Sequence, residues 1–214
     1  MNIRVALVDD HAMIREGLRS LLEKNAFIEV VGEAATGSEC LEMIGIWRPE
    51  VVVMDITMPE LNGIETTREI ARQWPGVRVV ILSVHSTTEH VYQAFAAGAL
   101  GYVLKESIGK ELLDAIRAAH CAKRYLSEKI EANGGGLYGA TVAAKSPLAS
   151  LSKRERQVLQ LVVEGYASVK IATRLDLSAK TVETYRSRLM QKLGVNDITA
   201  LVKFAIQHGL TPLG

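Results

Sequence analysis

Along the first 120 residues, short apolar runs alternate with stretches whose apolar positions recur at helical spacing. Runs at 3–8 (IRVALV), 29–34 (EVVGEA), 51–54 (VVVM), 77–82 (VRVVIL) and 102–104 (YVL) read as strands. Met13, Ile14, Leu18, Leu21 and Leu22 recur every three or four residues and predict a helix. Similar spacing predicts helices over 38–47, 64–74, 89–97 and 110–119. Pro75-Gly76 stops the third of these helices and Gly98 ends the fourth. Strict βα alternation with almost wholly apolar strands predicts an α/β fold, a doubly wound five-stranded parallel sheet covered on both faces.

The pattern changes after residue 121. GGG at 134–136 and Ser146-Pro147 mark a linker over 122–147, partly helical, with a helix over 127–132. From 148 to 214 no run reads as a strand, and helices are predicted over 152–164, 168–175, 179–193 and 197–208. Ser152-Lys153-Arg154-Glu155 opens the first: the Ser hydroxyl caps the first turn and the Glu three residues on reaches back. The chain therefore reads as two domains, 1–121 and 148–214.

Composition adds limits. Of 214 residues, 48% are hydrophobic and 23% charged, which excludes a wholly disordered chain. Cys40 and Cys121 cannot build a disulfide framework, and no Cys/His cluster has zinc spacing. The longest uncharged apolar stretch, 94–104, falls short of the roughly 18 residues a membrane span needs. The opening MNIRVALVDD lacks the marks of a signal peptide. The expectation is a cytoplasmic protein with no membrane contact. The net charge of +1 hides an asymmetry. Residues 1–124 hold 13 basic against 17 acidic side chains, and residues 148–214 hold 10 against 5. A basic back domain suits nucleic acid.

Open parallel sheets bind ligands beyond the carboxyl ends of their strands. Those ends carry Asp9-Asp10, Asp55, Ser83 and Lys105. Singly, each is most simply a cap, a turn residue or a solvated lysine. Five such groups at successive strand ends point to a site. Clustered carboxylates repel, a divalent cation removes the difficulty, and Mg²⁺ suits oxygen ligands. With a lysine and a hydroxyl alongside, one carboxylate can attack a phosphoryl group. His11 is read as a helix residue near the acids rather than as a ligand.

VALVDDH at 5–11, VVVMDITMPELNG at 51–63, VVILSVH at 79–85 and GYVLKES at 101–107 resemble the receiver domain of bacterial two-component response regulators. The resemblance implies Asp55 as phosphate acceptor and Asp10 as a direct Mg²⁺ ligand. Asp9 would act through water or as a neighbour, and Thr57 would lend its backbone carbonyl. It further implies Ser83 as the phosphate-facing hydroxyl, Lys105 as the phosphate-facing lysine and Tyr102 as the switch aromatic. Many receivers carry Pro after that lysine, where this chain has Glu106.

In the tail, Val182, Leu189 and Leu193 share one side of a helix, and Lys180, Thr184, Ser187 and Gln191 share the other. The preceding helix is close, and Ser178 can cap the next. Helix, tight turn and helix form a helix-turn-helix, whose second helix enters the major groove. LSKRERQVLQLVVEG and KIATRLDLSAKTVETYRSRLMQKLGV resemble the LuxR-type DNA-binding domain. The resemblance places Glu183, Thr184 and Ser187 facing bases. It makes Lys180, Thr181, Tyr185, Arg186, Arg188 and Lys192 candidates for phosphate contact. Val169-Lys170 stands where the usual pattern has Lys-Glu.

Together these features resemble a response regulator of the NarL/FixJ group, a switch rather than an enzyme. A sensor histidine kinase would phosphorylate Asp55 with Mg²⁺, and the phosphorylated homodimer would bind two half-sites of double-stranded DNA. Two other readings compete. One is a Mg²⁺-dependent phosphatase or phosphotransferase with Asp55 or Asp9 as nucleophile, although Asp9-Asp10 is not the Asp-x-Asp of haloacid-dehalogenase-like phosphatases. The other is a DNA-binding module that works without phosphorylation.

Overall fold

In the first strand of the structure, Val5 and Leu7 pack into one core while Ala6 and Val8 pack into another. The structure is a computed structural model describing residues 2–132 and 150–207. The glycine run and Ser146-Pro147 of the expected linker, and residue 208 at the end of the last predicted helix, lie outside the described residues. The chain divides into two compact units.

The first unit runs β1 (Ile3–Val8), α1 (Ala12–Leu22), β2 (Ile28–Ala34), α2 (Gly37–Trp47), β3 (Val51–Asp55) and α3 (Gly63–Gln73). It continues with β4 (Arg78–Ser83), α4 (Thr88–Ala97), β5 (Gly101–Leu104), a 3-10 turn at Lys105–Ser107, α5 (Ile108–His120), β6 (Tyr125–Leu126) and α6 (Glu128–Ala132). All strands are parallel, in the order β2-β1-β3-β4-β5-β6. Strand residues alternate between faces. Leu18 and Leu22 of α1 and Leu112, Ala115 and Ile116 of α5 cover one face. Cys40 and Ile44 of α2, Ile64 and Ile70 of α3, and Val91 and Ala94 of α4 cover the other. The doubly wound parallel sheet predicted from the pattern is present.

The strand count is a correction. Six strands stand where five were expected, because β6 is two residues long and carries no periodicity to read. Its pairing is nonetheless explicit. Tyr125 donates its N–H to the Leu100 carbonyl at 2.8 Å, and Ser127 donates to that of Tyr102 at 2.9 Å. The fully buried Ser127 hydroxyl donates to the buried Glu111 carboxylate of α5 at 2.5 Å. Lys110–Glu128 and Glu106–Lys129 ion pairs hold α6 from outside.

The second unit contains α7 (Lys153–Val163), α8 (Ser168–Leu175), α9 (Ala179–Leu193) and α10 (Ile198–Gln207). Val158, Leu159, Ile171, Val182, Leu189 and Leu201 form its core. The predicted capping box at Ser152 and Glu155 is present. Asp176 takes a left-handed conformation (φ 53°), and Ser178 accepts a hydrogen bond from the Thr181 N–H at 3.1 Å. These residues form the tight turn between α8 and α9.

Candidate functional site

The chain leaves β1 for β2 on one side and later returns to β3 on the other. β1 and β3 are therefore neighbours at the point where strand order reverses, and a crevice opens beyond their carboxyl ends. Asp9 follows β1, and Asp55 is the last residue of β3. Ser83 ends β4, and Lys105 follows β5, where Ser83 pairs with Leu104. Four of the expected site residues thus reach one sheet edge through strand register alone.

Lys105 joins two of them. Its ammonium lies 2.7 Å from Asp9 Oδ2 and 3.0 Å from Asp55 Oδ2. Asp9, Asp55 and Ser83 are buried, while Asp10 is exposed at the rim. Burial pushes the Asp55 carboxyl up to about 6, with Lys105 opposing the rise, Asp9 adding to it, and a hydrogen bond from the Thr57 N–H working with Lys105. At neutral pH Asp55 is mainly ionised and able to act as a nucleophile. Burial works against the Lys105 charge, but Asp55 and Asp9 outweigh it and hold its pKa above the ordinary lysine value.

Asp9, Asp10, His11 and Asp55 each bring a ligand atom to a common point, all within 4.8 Å of one another. Three carboxylates form a hard-oxygen donor set that fits a divalent cation. His11 sits near the acids, at the start of α1, as the sequence reading has it. Its Nδ1 is 2.8 Å from Asp10 Oδ1 and 3.2 Å from Asp9 Oδ1, and its N–H donates to Asp9.

Gly63 shapes the loop after Asp55. Its N–H donates to the Ile56 carbonyl, and a Cβ there would lie 1.9 Å from the Asp55 carbonyl oxygen. Asn62 caps α3 through the Glu65 N–H at 2.9 Å. Across the crevice, Tyr102 is fully buried, and its hydroxyl donates to the His85 carbonyl at 2.7 Å. The His85 N–H donates to Ser83 Oγ at 3.0 Å. Ser83 and Tyr102 therefore hold the same residue from its two backbone groups. His85 also stacks on His90, with ring centroids 4.4 Å apart. The link through His85 was not predicted; VVILSVH places it near Ser83 but does not show which backbone groups it uses.

In the second unit, Lys180, Glu183, Thr184, Ser187, Arg188 and Lys192 are exposed along α9, while Thr181, Tyr185 and Arg186 are half-buried. Two candidates are engaged within the protein. Arg186 contacts Ser168 and Glu183. Lys192 donates to Glu155 Oε2 at 2.7 Å and to the Ser150 carbonyl at 3.1 Å.

Comparison with known proteins accounts for both units. Residues 5–117 match the response regulator receiver domain, and residues 149–205 match the luxR family of bacterial regulatory proteins. The chain is a response regulator of the NarL/FixJ group. It is 37% identical over 208 residues to Response regulator UvrY of Escherichia coli K12, covering 97% of this chain and 95% of that one. To Response regulator GacA of Pseudomonas aeruginosa it is 34% identical, covering 97% of each. Among solved structures it resembles RcsB of Salmonella enterica serovar Typhimurium bound to promoter rprA in the presence of phosphomimetic BeF3⁻. That match has a TM-score of 0.65 and 27% identity, and covers 95% of this chain and 98% of RcsB. This response regulator thus joins a receiver to a LuxR-type DNA-binding domain and belongs to a family of transcription regulators. Among the described residues, no helix is long and apolar enough to cross a membrane.

Proposed function

We propose that Asp55 accepts a phosphoryl group from a sensor histidine kinase, and that this controls dimerisation and binding of double-stranded DNA. The observation that carries the reading is Lys105, placed between a buried Asp9 and a buried Asp55. An Asp55 oxygen attacks phosphorus, a P–O bond forms, the P–N bond to the donor imidazole breaks with its electron pair going to nitrogen, and the donor ring, already protonated on its other nitrogen, leaves as neutral imidazole. Mg²⁺ would be held by Asp9, Asp10, Asp55 and the Thr57 carbonyl, and when bound it neutralises charge on the acids and the phosphoryl oxygens. Lys105 supplies a second positive charge, and Ser83 a hydroxyl for a phosphoryl oxygen. Drawing Ser83 towards that oxygen disturbs its hydrogen bond with the His85 N–H, and the change reaches Tyr102 through the His85 carbonyl.

In the DNA-binding unit, we assign Lys180, Thr181, Tyr185 and Arg188 to phosphate contacts and Glu183, Thr184 and Ser187 to base edges. Arg186 and Lys192 are at least partly committed to contacts inside the protein. RcsB, similar over most of its length, is described on promoter DNA with a phosphomimetic, which supports the same pairing of signal and target here. We propose domains at 1–121 and 148–214, with β6 and α6 as an extension of the first, and a cytoplasmic location.

Intact-mass analysis tests the reading. The protein is treated with Mg²⁺ and a small phosphoryl donor, beside Asp55→Asn, with size-exclusion chromatography of the same samples. One added phosphoryl group, absent from the variant and accompanied by dimer formation, is expected. No added group, or one that persists in Asp55→Asn, would overturn it.

A further inference from the structure

Ser168 is the first residue of α8, yet its hydroxyl does not serve that helix. It crosses to α9, donating to Glu183 Oε1 at 2.5 Å and accepting from Arg186 Nη1 at 2.7 Å. The same Arg186 nitrogen reaches Glu183 Oε1 at 3.2 Å. A hydroxyl has one proton to give and lone pairs to accept with, so both bonds coexist. Two groups, the Ser168 hydroxyl and the Arg186 guanidinium, therefore close on a single carboxylate oxygen. The other oxygen, Oε2, has no partner among the described residues, and the Glu183 side chain is 59% exposed against 19% for Arg186.

We propose that Ser168 and Arg186 are positioning residues that fix Glu183 so that Oε2 reads a cytosine in the major groove. The inference rests on the DNA-binding reading of α9 and narrows it. A bare carboxylate on a surface that meets phosphates is repelled, and Arg186 supplies the compensating charge from within the protein. Its own charge is thereby withdrawn from the DNA backbone. An ionised carboxylate can only accept hydrogen bonds, so it selects bases that present an amino group. Cytosine offers N4 without a neighbouring acceptor on its own edge, whereas adenine sets the acceptor N7 beside N6. Ser168 lies just before Val169-Lys170, where the chain departs from the usual family pattern. Specificity in α9 thus depends on a residue of the preceding helix.

The test uses the full chain with Mg²⁺ and a phosphoryl donor. Half-sites are selected from random duplexes, and affinities are then measured for every base at every position over a range of salt concentrations. Wild type is expected to prefer cytosine at one position per half-site by about tenfold. Glu183→Gln should move that preference to adenine, which a side-chain amide matches. Ser168→Ala and Arg186→Ala should each reduce it to about twofold at that position alone, and Ser168→Thr should retain it. The slope of log affinity against log salt should be unchanged in Arg186→Ala and shallower by about 0.9 in Arg188→Ala, the loss of one phosphate contact. Circular dichroism melts establish that each variant is folded. Unaltered base preferences in Glu183→Gln or Ser168→Ala would overturn the proposal, as would a shallower slope in Arg186→Ala. If wild type showed no sequence preference on any duplex, the DNA-binding reading itself would fall, and this proposal with it.

Discussion

The Lys192 ammonium, near the end of α9, donates to the buried Glu155 carboxylate of α7 at 2.7 Å. The two residues are 37 positions apart, and their bond fastens the opening turn of one helix to the closing turn of another. Glu155 also accepts from the Ser152 N–H at 2.7 Å.

Lys192→Met removes one partner and leaves the carboxylate buried. It is expected to destabilise the second unit by about 1–3 kcal/mol, less than for a wholly enclosed pair because the Lys192 side chain is 40% exposed. Urea unfolding followed by circular dichroism measures the loss. An unchanged midpoint would show that Lys192 is free to serve DNA alone.

The same carboxylate makes this unit sensitive to acid. Burial raises the Glu155 pKa, but the Lys192 and Ser152 hydrogen bonds outweigh burial and hold it below the ordinary 4.5. A depressed folded-state pKa contributes stability that is fully present above the unfolded value and lost as pH falls through the folded one. The unfolding midpoint should therefore fall below about pH 4.5 more steeply in wild type than in Glu155→Gln. Parallel acid profiles for the two proteins would contradict this.

Metal binding is expected to stabilise the first unit by mass action. A thermal melt in millimolar Mg²⁺ should shift upward by several degrees relative to chelator. In Asp10→Ala, whose removed side chain is exposed, most of that shift should vanish while the melt in chelator stays near wild type. An equal shift in both proteins would place the cation elsewhere.

Gly63→Ala forces a methyl group against the Asp55 backbone carbonyl. The loop must move, with an expected cost of about 1–3 kcal/mol and a marked loss of phosphoryl incorporation. Intact mass and urea unfolding on the same sample separate the two effects.

Much of this was legible because it is local. Strand ends place Asp9, Asp55, Ser83 and Lys105 together as soon as the strands are ordered, and Ser152 with Glu155 announces its own cap. What stayed hidden depends on contacts between distant residues. No spacing rule links Ser168 to Glu183, or Glu155 to Lys192, or the hydroxyl of Tyr102 to the carbonyl of His85. Periodicity also fails for Tyr125-Leu126, too short to show any. His11 reads as a helix residue near the acids; only the fold shows which carboxylate oxygens its ring meets.

β6 has a practical consequence for anyone dividing the chain. A fragment cut at residue 121 would strip β5 of its outer neighbour and expose the carbonyls of Leu100 and Tyr102 that β6 and Ser127 now satisfy. It would also leave the Glu111 carboxylate without the Ser127 hydroxyl. An open strand edge is a template for another chain. Self-association of such a fragment would then report the cut rather than the biology, whereas a fragment ending at 132 keeps β5 paired with β6.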